Sequence, residues 1–275
     1  MSSPITPPVA EPIAIDIVDH VATVTLTRTT MPPAFFVALE AAFRRLSGDP
    51  AVRAVIVRGG GKAFSYGLDL PAAFQEMGQH FAGGGTAAPR LELHAMIRRL
   101  QAALDAVAQC PVPVIAAIHG WCIGGGLDVA AACDIRIASA DARFSLRETK
   151  IAIVADLGSL QRLPGIIGRG NVRELAFTGK DVDARRALGM QLVNEVFETP
   201  EALFAAAQQM AAEIAKNPPL TVRGVKAVLD FGEGKSATEG LAYVAAWNSA
   251  FLASEDLGEA IGAFMGKREP AYRGK

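Results

Sequence analysis

The chain has 275 residues, 51% of them hydrophobic and 20% charged, with a formal net charge of −1. That is enough apolar material for a sizeable core, too few charges for a disordered chain, and no basic excess of the kind a nucleic-acid-binding surface shows. Three cysteines (Cys110, Cys122, Cys133) and no CxxC spacing point to buried thiols in a reducing compartment, not to a disulfide framework or a metal site.

Residues 1–12 read as a short flexible leader without the basic and apolar regions of a signal peptide. Residues 13–18 and 21–27 alternate and are rich in Val, Ile and Thr, which predicts two strands joined at Asp19-His20. Pro32 and Pro33 open a helix that carries Phe36, Leu39, Ala42, Phe43 and Leu46 at helical spacing and ends at Gly48. A strand over 53–58 follows, then a loop with three glycines and the segment FSYGLDL at 64–70. Gly83 to Gly85 mark a further loop. The clearest helix covers 90–109, with Leu93, Met96, Ile97, Leu100, Leu104 and Val107 on one face and Arg98, Arg99 and Asp105 off it.

The next strand, VPVIAAIHG, is nearly free of polar residues, as a strand covered on both faces should be. Ala106 to Leu127 holds no Asp, Glu, Lys or Arg over 22 residues, long enough to span a bilayer. Pro111, Pro113 and the glycines at 124–126 break it, so it reads as helix end, buried strand and glycine turn of a soluble, cytoplasmic protein. A short helix (LDVAAAC) and strands at DIRIAS and ARFSL come next. The alternation of strands and helices through residue 199 predicts an α/β core with parallel pairings. Residues 200–275 are helical throughout and need the core or a neighbouring subunit to cover their apolar faces.

Two glycine-bearing turns, FSYGLDL and GWCIGGGLD, each follow an apolar strand and run into a helix start. A helix start offers unpaired N–H groups, and glycine lets the backbone come close to a ligand. If they converge, the turns could hold an oxyanion; singly, each reads rather as an ordinary strand-to-helix connection. Asp128, Glu148 and Asp156 are candidate proton carriers if the fold gathers them, with Ile151, Ile153 and Val154 as apolar neighbours that would raise their pKa values. Each acid also has a plain structural reading: helix-dipole partner, ion pair with Arg147 or Lys150, and N-cap. His119 reads as a core histidine bonded to backbone. No GxSxG, HExxH or dinucleotide fingerprint occurs, so nucleophilic, metal and nucleotide mechanisms lack support.

Together these pieces resemble the crotonase (enoyl-CoA hydratase/isomerase) superfamily from about residue 13 to the end, most strongly over 118–168, IHGWCIGGGLDVAAACDIRIASADARFSLRETKIAIVADLGSLQRLPGIIG. The resemblance implies a core of repeated β-β-α turns (13–199), a C-terminal helical trimerisation region (200–275), and a homotrimer or dimer of trimers. It implies an acyl-CoA substrate, with coenzyme A as part of the substrate and no separate cofactor or metal. The N–H groups of Leu68 and Gly125 would form the oxyanion hole. Ala63, Phe64, Tyr66, Asp69, Gly124 and Lys267 would lie along the substrate.

Within that superfamily GGGLD, FSLRE and VADLGSLQRLP look like Δ3,5-Δ2,4-dienoyl-CoA isomerase. The likeness implies that Glu148 takes the C2 proton, Asp156 delivers a proton at C6, and Asp128 tunes the site. Hydratases usually have proline before the second acid and glycine where Asp156 stands; here Arg147 precedes Glu148. Enoyl-CoA hydratase, with Asp128 and Glu148 handling a water, is the alternative, and a non-catalytic RNA-binding relative is a remoter one. Tyr66 replaces a usually small residue, and the loop TRTTMPPAF lacks the usual Asn-Ala pair.

Overall fold

The computed structural model describes residues 11–81 and 87–275. Most of the expected leader and the Gly83–Gly85 loop lie outside them. The chain opens with a hairpin of β1 (Ile13–Val18) and β2 (Val21–Leu26), paired antiparallel. Its two-residue turn places Asp19 and His20 at φ 47° and 70°. Positive φ at both central positions matches the twist of the flanking strands. Helix α1 (Pro33–Gly48) begins at Pro33, whose missing N–H costs nothing there, and buries Phe35, Phe36, Leu39, Ala42, Phe43 and Leu46.

The strands β3 (Ala54–Gly59), β4 (Val114–Ile118), β6 (Ile135–Ser139) and β9 (Glu195–Phe197) extend the hairpin into a six-stranded sheet of order β1-β2-β3-β4-β6-β9. Every pairing after the hairpin is parallel, as expected from the alternating pattern. A smaller sheet joins β5 (Trp121–Ile123), β7 (Arg143–Ser145) and β8 (Asp181–Asp183) in that order. Ser65 pairs with Cys122 through a single parallel bridge, so the 64–66 segment lies alongside β5. Three successive stretches therefore repeat one path. Each runs along the large sheet, crosses to the small one and enters a helix: β3 to Ser65 to α2 (Leu70–Phe81), β4 to β5 to α4 (Gly125–Ala132), and β6 to β7 to α5 (Ser159–Thr178). This is the repeated β-β-α turn expected above.

Two elements differ from the sequence expectation. Residues 121–123, read as part of a glycine turn, form β5, too short for alternation to reveal. Helix α3 (Ala87–Ala108) buries only Ala103, Leu104 and Val107, while Leu93, Met96 and Ile97 are half-buried. Its C-terminal half packs on α1 and α4, and its N-terminal half leaves the core. Helix α5 contains Pro164 and is broken at Gly168, whose φ of 76° is not helical.

The C-terminal helices are α7 (Pro200–Lys216), α8 (Pro219–Gly232), α9 (Ala237–Phe251) and α10 (Glu255–Gly266), following the short α6 (Ala184–Gly189). Leu203, Ala207, Ala211 and Ala215 recur every four residues on α7 and close one face of the large sheet against Val21, Ala54, Ile56, Ile115, Ala117 and Ile137. Buried Lys226 of α8 is tied to the core through Asp134, Nζ to Oδ2 2.7 Å. The last residues return to α10, where Asp256 accepts the N–H groups of Arg273 and Gly274 at 2.7 and 2.8 Å. Among the described residues no helix is long and apolar enough to cross a membrane.

Candidate active site

The two glycine turns meet. The 64–69 segment is held on one side by β5 and on the other by the 29–31 loop. Ser65 N–H donates to Trp121 O (2.8 Å) and Ile123 N–H to Ser65 O (3.0 Å). Met31 N–H donates to Gly67 O (2.9 Å) and Asp69 N–H to Met31 O (3.0 Å). Ser65 Oγ accepts the Gly67 N–H at 3.0 Å and fixes the bend from inside.

Glycine is required at 67. Its φ is 82°, and an added Cβ would stand 2.7 Å from Ile123 O and 3.3 Å from Gly125 N. A Cβ at Gly125 would in turn lie 3.8 Å from Leu68 N. The two predicted oxyanion donors therefore stand side by side. Gly125 opens α4, where the first N–H groups have no intrahelical acceptor. Among the described residues neither the Leu68 nor the Gly125 N–H donates to a backbone carbonyl. Both remain available to a ligand oxygen at the positive end of the helix dipole.

The three acids come to the same place from three segments. Asp128, in the first turn of α4, is 1% exposed. Glu148 begins the short 3-10 turn after β7, with Oε1 3.2 Å from where a Cβ on Gly124 would be. That contact sets Glu148 over the oxyanion turn, and its other oxygen, Oε2, is buried with no partner among the described residues. Asp156 lies in the loop before α5.

Burial is the main cause that raises all three carboxyls. Asp128 is pushed up to about 7, with Ser159 hydrogen bonding opposing and the charges of Glu148 and Asp156 adding. Glu148 is raised by burial and by Asp156, and Asp156 by burial. Like charges in one place separate acid from base, as proton relays need. Ile151, Ile153 and Val154 do not shield the acids as expected. They are exposed, Val154 by 75%, while Asp128 is buried as part of α4, every residue of which is buried.

The other expected contacts divide. Gly124 N–H donates to Ser145 O at 3.1 Å with φ 51°, which ties the oxyanion turn to β7. Tyr66 lies near the turn, with Lys62 Nζ 6.0 Å above its ring. Phe64 and Ala63 are buried, and Phe64 belongs to the core. Asp69 uses Oδ1 to cap α2 through Ala72 N–H (3.1 Å) and Oδ2 to accept from Thr30 Oγ1 (3.0 Å). Lys267 ends α10 in the left-handed region, exposed, and no hydrogen bond or ion pair joins it to the acids among the described residues. His119 bonds Gly61 O through Nε2 at 2.8 Å, the core role expected.

Sequence reasoning missed Ser65, Met31, Gln101 and Ser159, which hold the turns and acids in place. Ser65, within FSYGLDL, was the one with a local signal, since a serine two residues before a glycine can accept its N–H.

The profile of the enoyl-CoA hydratase/isomerase family matches residues 16–275. The chain is 42% identical over 247 residues to the mitochondrial Delta(3,5)-Delta(2,4)-dienoyl-CoA isomerase of Dictyostelium discoideum, covering 89% of this chain and 83% of the relative. It is 44% identical over 238 residues to the peroxisomal enzyme of that name from Arabidopsis thaliana, covering 86% of each. Among solved structures it is similar to an enoyl-CoA hydratase from Bacillus anthracis, with a TM-score of 0.86 and 31% identity over 96% of this chain and 100% of that one.

Proposed function

The chain belongs to the enoyl-CoA hydratase/isomerase family, and from that premise we propose that it converts 3,5-dienoyl-CoA to 2,4-dienoyl-CoA. Glu148 takes a proton from C2. The electron pair moves into the thioester carbonyl, giving a trienolate whose oxygen accepts the Leu68 and Gly125 N–H groups. The double bonds then shift along the chain, and Asp156 adds a proton at C6. One proton leaves and one enters, with no electrons exchanged, so the step calls for no cofactor beyond the coenzyme A already on the substrate.

The observation that carries this reading is the presence of Asp156 as a third, half-buried carboxyl whose charge bears on both Glu148 and Asp128. Adding water across one double bond needs two acid groups around a single water. A shift over four carbons needs proton carriers on separate segments, and Glu148 starts the 3-10 turn after β7 while Asp156 lies in the loop before α5. The over 40% identity to relatives named dienoyl-CoA isomerase supports it further. Replacing Asp156 with Asn tests it: conversion of 3,5-dienoyl-CoA should fall at least about 100-fold, the lower range for a general acid. Unchanged conversion would overturn the reading.

The same reading includes a homo-oligomer, a trimer or a dimer of trimers. Its support is the apolar surface of α8 to α10, where Val225, Leu229, Leu241, Phe264 and Met265 are all more than half exposed. Sedimentation would show a monomer if this is wrong. A cytoplasmic location is supported by three free, buried cysteines, which suit a reducing compartment, although the relatives above are named mitochondrial and peroxisomal. The reading needs neither a nucleic acid nor a membrane as partner.

A further inference from the structure

We propose that Gln101 is a positioning residue for Asp156, holding the proton-donating loop through its main chain. This rests on the isomerase reading above. Residues 153–158 have no regular structure, and none of Val154 to Gly158 donates a backbone hydrogen bond to another backbone group among the described residues. The loop is instead held by side chains. Gln101 Nε2 donates to the Asp156 carbonyl at 2.6 Å. Arg98 Nη1 donates to Gln101 Oε1 at 2.6 Å. That second bond fixes which end of the amide faces the loop, because a guanidinium can only donate. It also polarises the amide, strengthening the bond to Asp156.

One turn further along α3, Asp105 pairs with Arg162 Nη2 at 2.7 Å, and Arg162 lies across Gly158, where an added Cβ would collide with its guanidinium. Helix α3 thus grips the loop just at and after Asp156. The buried side chains of Ala155 and Leu157 pin it on either side. With both neighbours packed and the intervening carbonyl bonded, the backbone at Asp156, and with it the origin of its side chain, is fixed. Glu148 makes none of these contacts, and Asp128 meets the loop only at its end, through the Ser159 N–H. Gln101 also lines a cavity of about 1140 Å³, so a substituted side chain of equal length has room.

The test is Gln101→Met in the full-length protein, with two readouts on 3,5-dienoyl-CoA in D2O. One is formation of the 2,4-dienoyl product, which requires protonation at C6. The other is exchange of the C2 hydrogen, which requires Glu148 and the oxyanion hole alone. The expected result is a roughly tenfold loss of kcat, KM within twofold, and a roughly tenfold rise in the ratio of C2 exchange to product. Wild-type product formation, or a loss of exchange and product in equal proportion, overturns the proposal. Arg98→Met, on the exposed side of the same bond, should move the ratio in the same direction by about threefold, and it decides the matter should Gln101→Met fail to fold: an unmoved ratio counts against the grip. Asp156→Asn run alongside separates the two levels. If it still forms product at the wild-type rate, the isomerase reading itself has failed; if it loses product while Gln101→Met does not, only the role of Gln101 has.

Discussion

Asp128 Oδ1 accepts the main-chain N–H of Ser159 at 2.6 Å, joining the start of α4 to the first residue of α5. The bond places a carboxylate at the N-terminus of a second helix, which favours its charged form. Burial works against it and wins, lifting Asp128 to about 7. One side chain therefore sets the distance between the oxyanion turn and the Asp156 loop, and holds its own proton near neutrality.

The first prediction follows from that balance. A carboxyl raised from 3.8 to about 7 on folding binds protons in the folded state that the unfolded chain has released. Its effect on stability is therefore absent below pH 4 and grows unfavourable as pH rises to about 7, reaching at most on the order of 4 kcal/mol. Asp128→Asn keeps an oxygen for the Ser159 N–H and removes the titration. The difference in Tm between variant and wild type should rise from pH 4 to pH 8. A difference constant across that range would show that Asp128 is not raised.

A second prediction concerns the coupling of the two working acids. Burial raises Glu148 most, and the charge of Asp156 adds to it. In Asp156→Asn that charge is gone, so Glu148 should ionise at lower pH. The acid limb of C2 hydrogen exchange should shift downward while exchange itself survives. A limb that stays in place would mean the two acids do not sense each other.

The oxyanion turn gives a third. Gly67→Ala forces a Cβ to within 2.7 Å of Ile123 O at a φ of 82°. The turn must open, moving the Leu68 N–H away from Gly125. Turnover should fall about 100- to 1000-fold, the cost of losing one oxyanion donor, with a smaller loss of about 1–3 kcal/mol in stability. Parallel measurement of kcat and chemical denaturation separates the two effects.

The pattern of these sites explains what could be seen in the sequence. GGG, the acids at 128, 148 and 156, and the two Val- and Ile-rich strands of the opening hairpin were legible because glycine strings, acids after apolar strands and alternating β-branched runs are local signals. The family likeness then placed them together. Gln101 was not legible. It sits between Ile97 and Leu104 on a helix face that reads as apolar, and its partner is a carbonyl 55 residues away. Main-chain carbonyls leave no mark on sequence. β5 was hidden for a related reason, since its three residues are set by pairing with β7 and Ser65 and not by a pattern of their own.

A fourth prediction tests how the helical tail is fastened. Asp134 Oδ2 accepts both Val114 N–H and Lys226 Nζ at 2.7 Å, joining the core to α8. Lys226→Met leaves a partly buried carboxylate without its cation and should cost about 2–3 kcal/mol. Loss of the α8 contact without change in the site should lower Tm and leave kcat/KM per folded enzyme intact. Denaturant unfolding alongside activity checks it, and an unchanged midpoint would contradict the role of the pair.

The most direct test of the central claim is ultraviolet absorbance of purified protein mixed with 3,5-dienoyl-CoA, with trans-2-enoyl-CoA in a second cuvette. Growth of the conjugated dienoyl-thioester band in the first and little change in the second is the predicted result. Loss of the enoyl band in the second with the first inert would contradict it, making the enzyme a hydratase and Asp156 a structural acid.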